Sequence, residues 1–297
     1  MFAPHRALVV FLFFSCLFST AAQQAPAIPD LISRAQSGDL DAHKQLFRFL
    51  CHANPASPGL DSALVWLRSR VAQDDANAEF VLAFLYDRGH ALPHDYPKAA
   101  ATYQLSVLHD HHLAENNLGF LYQFGLGVPR DLHRAFELYL ASAQQNDVTA
   151  EYNVALMYLM GSGTPRDNPQ AAHWFQTAAA SGDAASQHNL AVLYSEGRGV
   201  PADLRQTVHW EELAARKGHP AAEAGLALLY ESGKGVPLDY VSAYAWYSRA
   251  LAGGEKSAAA HLKSLSSIMT PRQLDHARAV LAALPNADPI QQAQAIP

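Results

Sequence analysis

The sequence predicts an all-α solenoid of about seven 36-residue helix pairs, closed by a C-terminal capping helix. The first observation is a fixed period, because single residue types recur every 36 positions along the chain. The second is the content of each period, in which paired glycines and a proline separate stretches of helical apolar spacing. A period of this length is typical of stacked repeats. The recurring residues are Tyr86, Tyr122, Tyr158, Tyr194 and Tyr230, then Pro93, Pro129, Pro165, Pro201 and Pro237, and then Asp95, Asp131, Asp167, Asp203 and Asp239.

Residues 1–22 are expected to form a secretory signal peptide that is cleaved after Ala22. Arg6 precedes an apolar run from Ala7 to Phe18, and small residues follow that run. The run is shorter than the roughly 20 residues that a membrane-spanning helix needs, although a retained anchor stays the alternative. We therefore expect an exported protein, periplasmic or extracellular, without a membrane span after cleavage. Cys51 is then the remaining cysteine, so an internal disulfide is excluded.

The fifth repeat shows how the first helix of each pair is specified. Asp167 can accept the free N–H groups of the first turn, and Pro169 fits that turn because no N–H is needed there. Trp174 and Phe175 follow at helical spacing. We expect Trp174 to be buried, since tryptophan occupies this position in three other repeats.

The second helix of the pair begins after a break at Ser181-Gly182-Asp183. Ser186, Leu190 and Leu193 lie on one face of it, and Gly197 can end it in a left-handed conformation. One helix pair cannot cover its own apolar faces, so each pair must stack on the next. Small residues are expected at the tight approach between the helices, namely Ala42, Ala78, Ala114, Ala150, Ser186, Ala222 and Ala258.

The ends of the array are set by different signals. We expect the solenoid to cover residues 30–268 and the capping helix to cover 269–284. Thr270 and Gln273 form the pattern of a capping box, with Pro271 at the first helical position. Residues 285–297 lack an apolar stripe and are expected to form a flexible tail.

The residues of the fifth repeat resemble a known family. The string Ala171-Ala172-His173-Trp174-Phe175, followed by Gly182, Asn189-Leu190-Ala191, Tyr194 and Gly197-Arg198-Gly199-Val200-Pro201, is similar to the Sel-one-like repeat (SLR), a relative of the tetratricopeptide repeat. The resemblance covers about residues 30–266 and implies a right-handed superhelix of α/α hairpins that serves as an interaction scaffold.

The same resemblance implies an alternative function. One branch, the cysteine-rich secreted proteins of Helicobacter, has been linked to β-lactam binding or hydrolysis. That branch carries a cysteine pair in each repeat, whereas the repeats after the first contain none here. The first repeat also departs from the pattern, because Ala53-Asn54-Pro55 stands where a Gly-x-Gly turn is expected.

Charge and motifs argue against catalysis and against nucleic acid. The net charge is −6, with no block of lysine and arginine that could neutralise a row of phosphates. No Gly-x-Ser-x-Gly, Ser-x-x-Lys or His-Glu-x-x-His pattern is present. We therefore expect a non-catalytic protein without cofactor or resident metal, which binds a protein or peptide; the oligomeric state does not follow from the sequence.

Two groups of polar residues are candidates for a site. His109-Asp110-His111-His112 could bind a metal, but neighbouring positions rarely converge on one ion, so a solvated turn is preferred. The other group rests on an analogy with tetratricopeptide arrays, whose inner wall is formed mainly by first helices. An idle solvated face is the alternative for this second group. The predicted binding residues are Lys98, Arg134, Glu137, Gln170, His173, Gln206 and His209.

Overall fold

The computed structural model describes residues 27–284, so the predicted signal peptide and the predicted tail lie outside the described residues. All regular secondary structure in this part of the chain is helical. The helices are α1 (Ile28–Gln36), α2 (Leu40–His52), α3 (Leu60–Val71), α4 (Ala76–Arg88), α5 (Tyr96–Leu108), α6 (His112–Phe124), α7 (Leu132–Ala143), α8 (Val148–Met160), α9 (Asn168–Ala180), α10 (Ala184–Glu196), α11 (Leu204–Arg216), α12 (Pro220–Ser232), α13 (Tyr240–Ala252), α14 (Ala258–Ile268) and α15 (Pro271–Ala283).

The helices alternate in the predicted period. From α3 to α13 the odd-numbered helices begin every 36 residues, and so do the even-numbered helices from α2 to α12. The seven predicted pairs are therefore α1–α2 to α13–α14, and α15 follows as the capping helix. Among residues 27–284, no helix is both long and apolar enough to cross a membrane.

The predicted caps of the fifth repeat are confirmed. The Asp167 carboxylate accepts the Gln170 N–H at 3.0 Å, and the Asp183 carboxylate accepts the Ser186 N–H at 2.6 Å. Gly197 follows α10 with φ of 67°, a left-handed conformation that glycine adopts without steric cost. At the other end of the molecule, Thr270 and Gln273 form the predicted capping box of α15.

The first repeat closes its loop without the glycine pair. The Asn54 side-chain oxygen accepts the Ala56 N–H at 2.9 Å, and the Asn54 N–H donates to the Ser57 hydroxyl at 2.9 Å. Gly59, with φ of 82°, then precedes α3. Side-chain hydrogen bonds thus replace the conformational freedom that the glycines supply in the later repeats.

The chain divides into two compact units, one ending at Ala150 and the other beginning at Glu151. In the first unit, Tyr103, Tyr139 and leucines of α2, α3, α4 and α6 are fully buried. In the second unit, Phe175 and Tyr247 are the largest fully buried side chains. The small-residue positions predicted at the tight approaches are all 0% exposed.

The expected burial of Trp174 is wrong. Trp174 is only half-buried and packs at the edge of the core of the second unit, whereas its neighbour Phe175 is 0% exposed. Trp210 is likewise half-buried, while Trp66 and Trp246 are buried. The tryptophan position therefore lies at the border of the apolar face, and its burial depends on the repeat.

Cys51 is partly covered by the core of the first unit. Burial raises the pKa of its thiol to about 11. The thiolate is the reactive form of cysteine, so Cys51 is almost fully protonated and inert at neutral pH.

Candidate functional site

All seven predicted binding residues lie on odd-numbered helices. Lys98 is on α5, Arg134 and Glu137 are on α7, and the remaining four are on α9 and α11. Six are exposed, and Gln206 is half-buried. The exposed residues among them are in contact with water and can be reached by a partner.

In the first unit the predicted residues form exposed ion pairs. The Arg134 guanidinium lies 2.9 Å from the Glu137 carboxylate, and the Lys98 amine lies 2.8 Å from the Asp95 carboxylate. Lys98 also lies over the Tyr86 ring, 5.6 Å from its centroid. Exposed pairs of this kind contribute little to stability. They can therefore open to bind a charged partner without unfolding the repeat.

In the second unit the two predicted histidines have the same surroundings. The His173 and Trp174 ring centroids are 5.5 Å apart, and those of His209 and Trp210 are 5.0 Å apart, both edge to face. The edge of one ring therefore meets the face of the other in two successive repeats. Each imidazole is exposed beside a half-buried indole, a combination that offers both hydrogen bonds and apolar contact.

An open groove lies between α1 and α3, and two of its lining residues continue the predicted binding face into the second repeat. The volume of the groove is about 470 Å³. Ser62 stands one period before Lys98 and Val65 two periods before Glu137, so both occupy positions of the predicted binding face. Neither was among the residues predicted from the sequence, although counting back along the period finds both. The lining residues are Ile32, Gln36, Asp61, Ser62, Val65, Trp66 and Ser69.

A second exposed surface, on the even-numbered helices, was not predicted. An apolar residue occupies the same position near the end of α6, α8, α10 and α12, and in α6 and α8 a second apolar residue follows four positions later on the same face of the helix. We call them the apolar ladder. Its members are Phe120 and Phe124 in the first unit, and Leu156, Met160, Val192 and Leu228 in the second unit.

Three of the six ladder residues are exposed although they are apolar, and the other three are half-buried. Phe124 is 43% exposed, Met160 58% and Leu228 49%, whereas Phe120 and Leu156 pack partly against the core. The centroids of the Phe120 and Phe124 rings lie 4.6 Å apart. Single exposed apolar residues need no explanation, but neighbouring ones that recur by period mark a surface for contact with another molecule.

The buried polar groups of the repeats have structural roles. The Tyr139 hydroxyl donates to the Gln123 side-chain oxygen at 2.7 Å, and the Tyr247 hydroxyl donates to the Glu231 carboxylate at 2.8 Å. Burial raises the pKa of both tyrosines, so neither ionises at neutral pH. One period after Tyr139 and Gln123, the chain has Phe175 and Leu159. The hydroxyl donor and its acceptor are therefore both replaced by apolar side chains there.

Asn117 and Asn189, which stand two periods apart, bond to different partners. The Asn189 amide donates to the Ala185 carbonyl of the same helix at 2.8 Å. The Asn117 amide donates instead to the Tyr103 hydroxyl at 3.1 Å.

Three histidines pair with carboxylates through Nδ1. The distances are 2.8 Å for His109 and Glu79, 3.0 Å for His188 and Glu211, and 2.8 Å for His261 and Glu231. Glu79 and Glu211 are buried. Burial raises the pKa of the Glu211 carboxyl, and the hydrogen bond from His188 opposes that rise. These pairs supply the partner that a buried carboxylate requires.

The imidazoles of the His109–His112 corner do not converge on one point. His109 turns to Glu79, while the His111 ring stacks on the Phe80 ring with centroids 4.6 Å apart. Burial, with a smaller effect of His112, lowers the pKa of His111 to about 4. Within residues 27–284, the donors that come close enough to share an ion are those of Asp74, Glu79 and His109.

Comparison with known proteins identifies the repeat. The Sel1 repeat family model matches residues 76–109, 112–147, 148–183, 184–219 and 220–255. Each matched segment begins with an even-numbered helix, one helix earlier than the pairs chosen from the sequence. The predicted binding residues therefore lie on the second helix of each family repeat and the apolar ladder on the first. In tetratricopeptide arrays the inner wall is formed mainly by first helices, so this analogy favours the apolar ladder as the binding surface.

Two solved structures share the fold. One is a protective antigen of uropathogenic Escherichia coli with an SLR fold, which is 26% identical with a TM-score of 0.74 over 87% of this chain. This chain spans 56% of that protein. The other is a Sel1 repeat protein from Oxalobacter formigenes, 23% identical with a TM-score of 0.67, which matches 86% of this chain and 97% of its own. Curated protein sequences give no match.

The repeat period and the helix pairs agree with the family match, and the fold agrees with both solved structures. The fold is that of an α/α solenoid. The chain belongs to the Sel1 repeat family.

Proposed function

We propose that the protein is an exported, non-catalytic scaffold that binds a protein or peptide in the cell envelope through the apolar ladder. Members of the Sel1 repeat family are generally protein-interaction scaffolds. The observation that carries the choice of surface is the exposure of Phe124, Met160 and Leu228 at repeating positions. Such side chains are stabilised when a partner removes them from water, by roughly 25 cal/mol per Å² of apolar area.

The partner that fits the part of the ladder within one unit is a segment with apolar side chains at regular spacing. Polar residues such as Glu196 and Ser232 end the neighbouring helices α10 and α12, where they can fix the register of that segment by hydrogen bonds. Export, to the periplasm or to the cell exterior, is supported by the apolar N-terminal run of the sequence. It agrees with the description of the Escherichia coli neighbour as a protective antigen, since an antigen must be reachable by antibodies.

The experiment is site-specific photo-cross-linking in the cells that make the protein, followed by mass spectrometry. A photoreactive residue at Phe124 or Met160 should give a cross-linked partner, and Phe124→Ser or Met160→Ser should weaken its binding. Phe124 is 43% exposed and Met160 58%, so both variants should remain folded, and circular dichroism with thermal melting checks this.

The matched controls are Arg134→Ser and His173→Ser, one in each unit, on the odd-numbered helices. They should leave binding unchanged. If they abolish binding while the ladder substitutions do not, the binding surface is the one first predicted from the sequence. Turnover of a β-lactam such as nitrocefin by the purified protein would contradict the non-catalytic role.

A further inference from the structure

A cluster of three possible metal ligands lies at the turn between α3 and α4, away from the apolar ladder. Asp74 is in that turn, Glu79 is on the first turns of α4, and His109 follows α5. One donor atom from each lies within 4.8 Å of the donors of the other two. All three residues belong to the first unit.

The three side chains differ in how far their surroundings allow them to move. Glu79 is 1% exposed and His109 Nδ1 lies 2.8 Å from its carboxylate, whereas Asp74 is exposed in a left-handed backbone conformation with φ of 57°. Zinc binds nitrogen and oxygen ligands at about 2.0–2.2 Å, so the ligands of one ion lie about 3–4 Å apart. A small rotation of Asp74 toward Glu79, and of His109 slightly away from it, brings the donors into that range.

The local charge favours a cation. Asp110 follows His109 directly, so the imidazole is surrounded by the carboxylates of Asp74, Glu79 and Asp110. The nearby cation Arg70 is already bound, with its guanidinium 2.7 Å from Asp75. A divalent ion would therefore replace the proton between His109 and Glu79 and neutralise both carboxylate ligands.

The next repeat provides the same backbone with one different ligand. Asp110, Glu115 and Gln145 each stand 36 residues after the three ligands. Asp110 is also left-handed, with φ of 61°, and the Gln145 amide donates to the Glu115 carboxylate at 2.9 Å. An amide nitrogen cannot bind a metal as a neutral imidazole does. The two turns therefore differ in whether they can bind an ion, and the difference is the side chain at one position, His109 or Gln145.

We propose that Asp74, Glu79 and His109 form a binding site for a zinc-type divalent cation. One imidazole and two carboxylates suit a borderline ion, and three protein ligands leave at least one position for water. An ion there would join the turn before α4 to the end of α5 and so hold these two helices together.

The test is titration of the purified, untagged protein with Zn²⁺ by calorimetry, and with Co²⁺ by visible absorption. Wild type should bind one ion at this site. His109→Gln should remove that ion, and Gln145→His should create a second site. Both substitutions copy a residue that the neighbouring repeat already carries at the same position, so helix content and melting temperature without metal should stay unchanged.

The proposal is overturned if wild type binds no ion, if His109→Gln binds zinc with unchanged stoichiometry and affinity, or if Gln145→His gains no site. The double variant His109→Gln with Gln145→His is the final control. It should bind one ion, now at the later repeat, and a result of no binding or of two ions would contradict the geometry.

Discussion

At the scale of single residues, neighbouring aromatic side chains have different energetic roles. Phe175 is fully buried, and Trp174 beside it is half-exposed. Phe175→Ala should lower the free energy of unfolding by about 3–5 kcal/mol, because it leaves a cavity in the core of the second unit. Trp174→Ala should cost clearly less. Urea unfolding followed by circular dichroism measures both, and equal losses would contradict the observed burial.

His111 makes stability depend on pH. Its pKa is lowered to about 4 by burial, whereas an unfolded histidine titrates near 6.5. Between these values the unfolded chain binds a proton that the folded protein does not, so stability falls as the pH falls through this window. The loss between pH 7.5 and pH 5 should be about 2 kcal/mol.

The control for this prediction is His111→Asn, which cannot titrate. Aspartate caps the second helix at the equivalent positions Asp39, Asp75 and Asp183, and asparagine can accept the same N–H groups. Urea unfolding at both pH values should show a smaller loss for the variant than for wild type. Parallel losses in the two proteins would mean that His111 is not the titrating group.

At the scale of helix pairs, the hydrogen bond between Tyr139 and Gln123 joins α7 to α6. Tyr139→Phe should cost about 0.5–1.5 kcal/mol, the net value of such a bond. The double variant Tyr139→Phe with Gln123→Leu should recover most of that loss, because it recreates the pair of Phe175 and Leu159. Denaturant unfolding of the four proteins gives the coupling energy. A double variant no more stable than Tyr139→Phe alone would argue against this pairing.

The sequence predicts the helices well because their signals are local. Asp167, Gly197 and Thr270 act on residues within a few positions of themselves, and all three behave as predicted. The border of the apolar face depends on how far one helix is rotated against the next. Periodicity does not give that rotation, so the sequence cannot tell the half-buried Trp174 from the buried Phe175.

The candidate site is harder to predict for a related reason. Phe120 and Phe124 are apolar and four residues apart, the spacing of a core-facing pair on a helix, so the sequence alone gives no sign that they are exposed. The partial exposure of Phe120, and that of Phe124, appears only when the neighbouring helices are in place. The pairing of His109 with Glu79 is likewise hidden, because 30 residues separate them.

At the scale of the whole molecule, each compact unit has its own core, and stability in repeat proteins comes mainly from nearest neighbours. Phe175→Ala should therefore increase amide hydrogen exchange most in α9 and α10, which contain or contact the substituted position. Exchange in α2 to α4 of the first unit should stay near its wild-type rate. Hydrogen exchange with mass spectrometry measures this, and uniform acceleration along the chain would show that the molecule opens as one body.

The pairing of buried groups limits how this scaffold can be redesigned. Asparagine stands at 117, 153 and 189, but Gly225 occupies that place in the sixth repeat, where a Cβ would collide with the Glu211 carboxylate. A consensus sequence that takes the commonest residue at each position would place asparagine at 225 and leave the turn residues unchanged. If Glu211 were kept, the asparagine side chain would collide with its carboxylate and the sixth repeat would not pack. Residues that fill the same space must therefore be exchanged together.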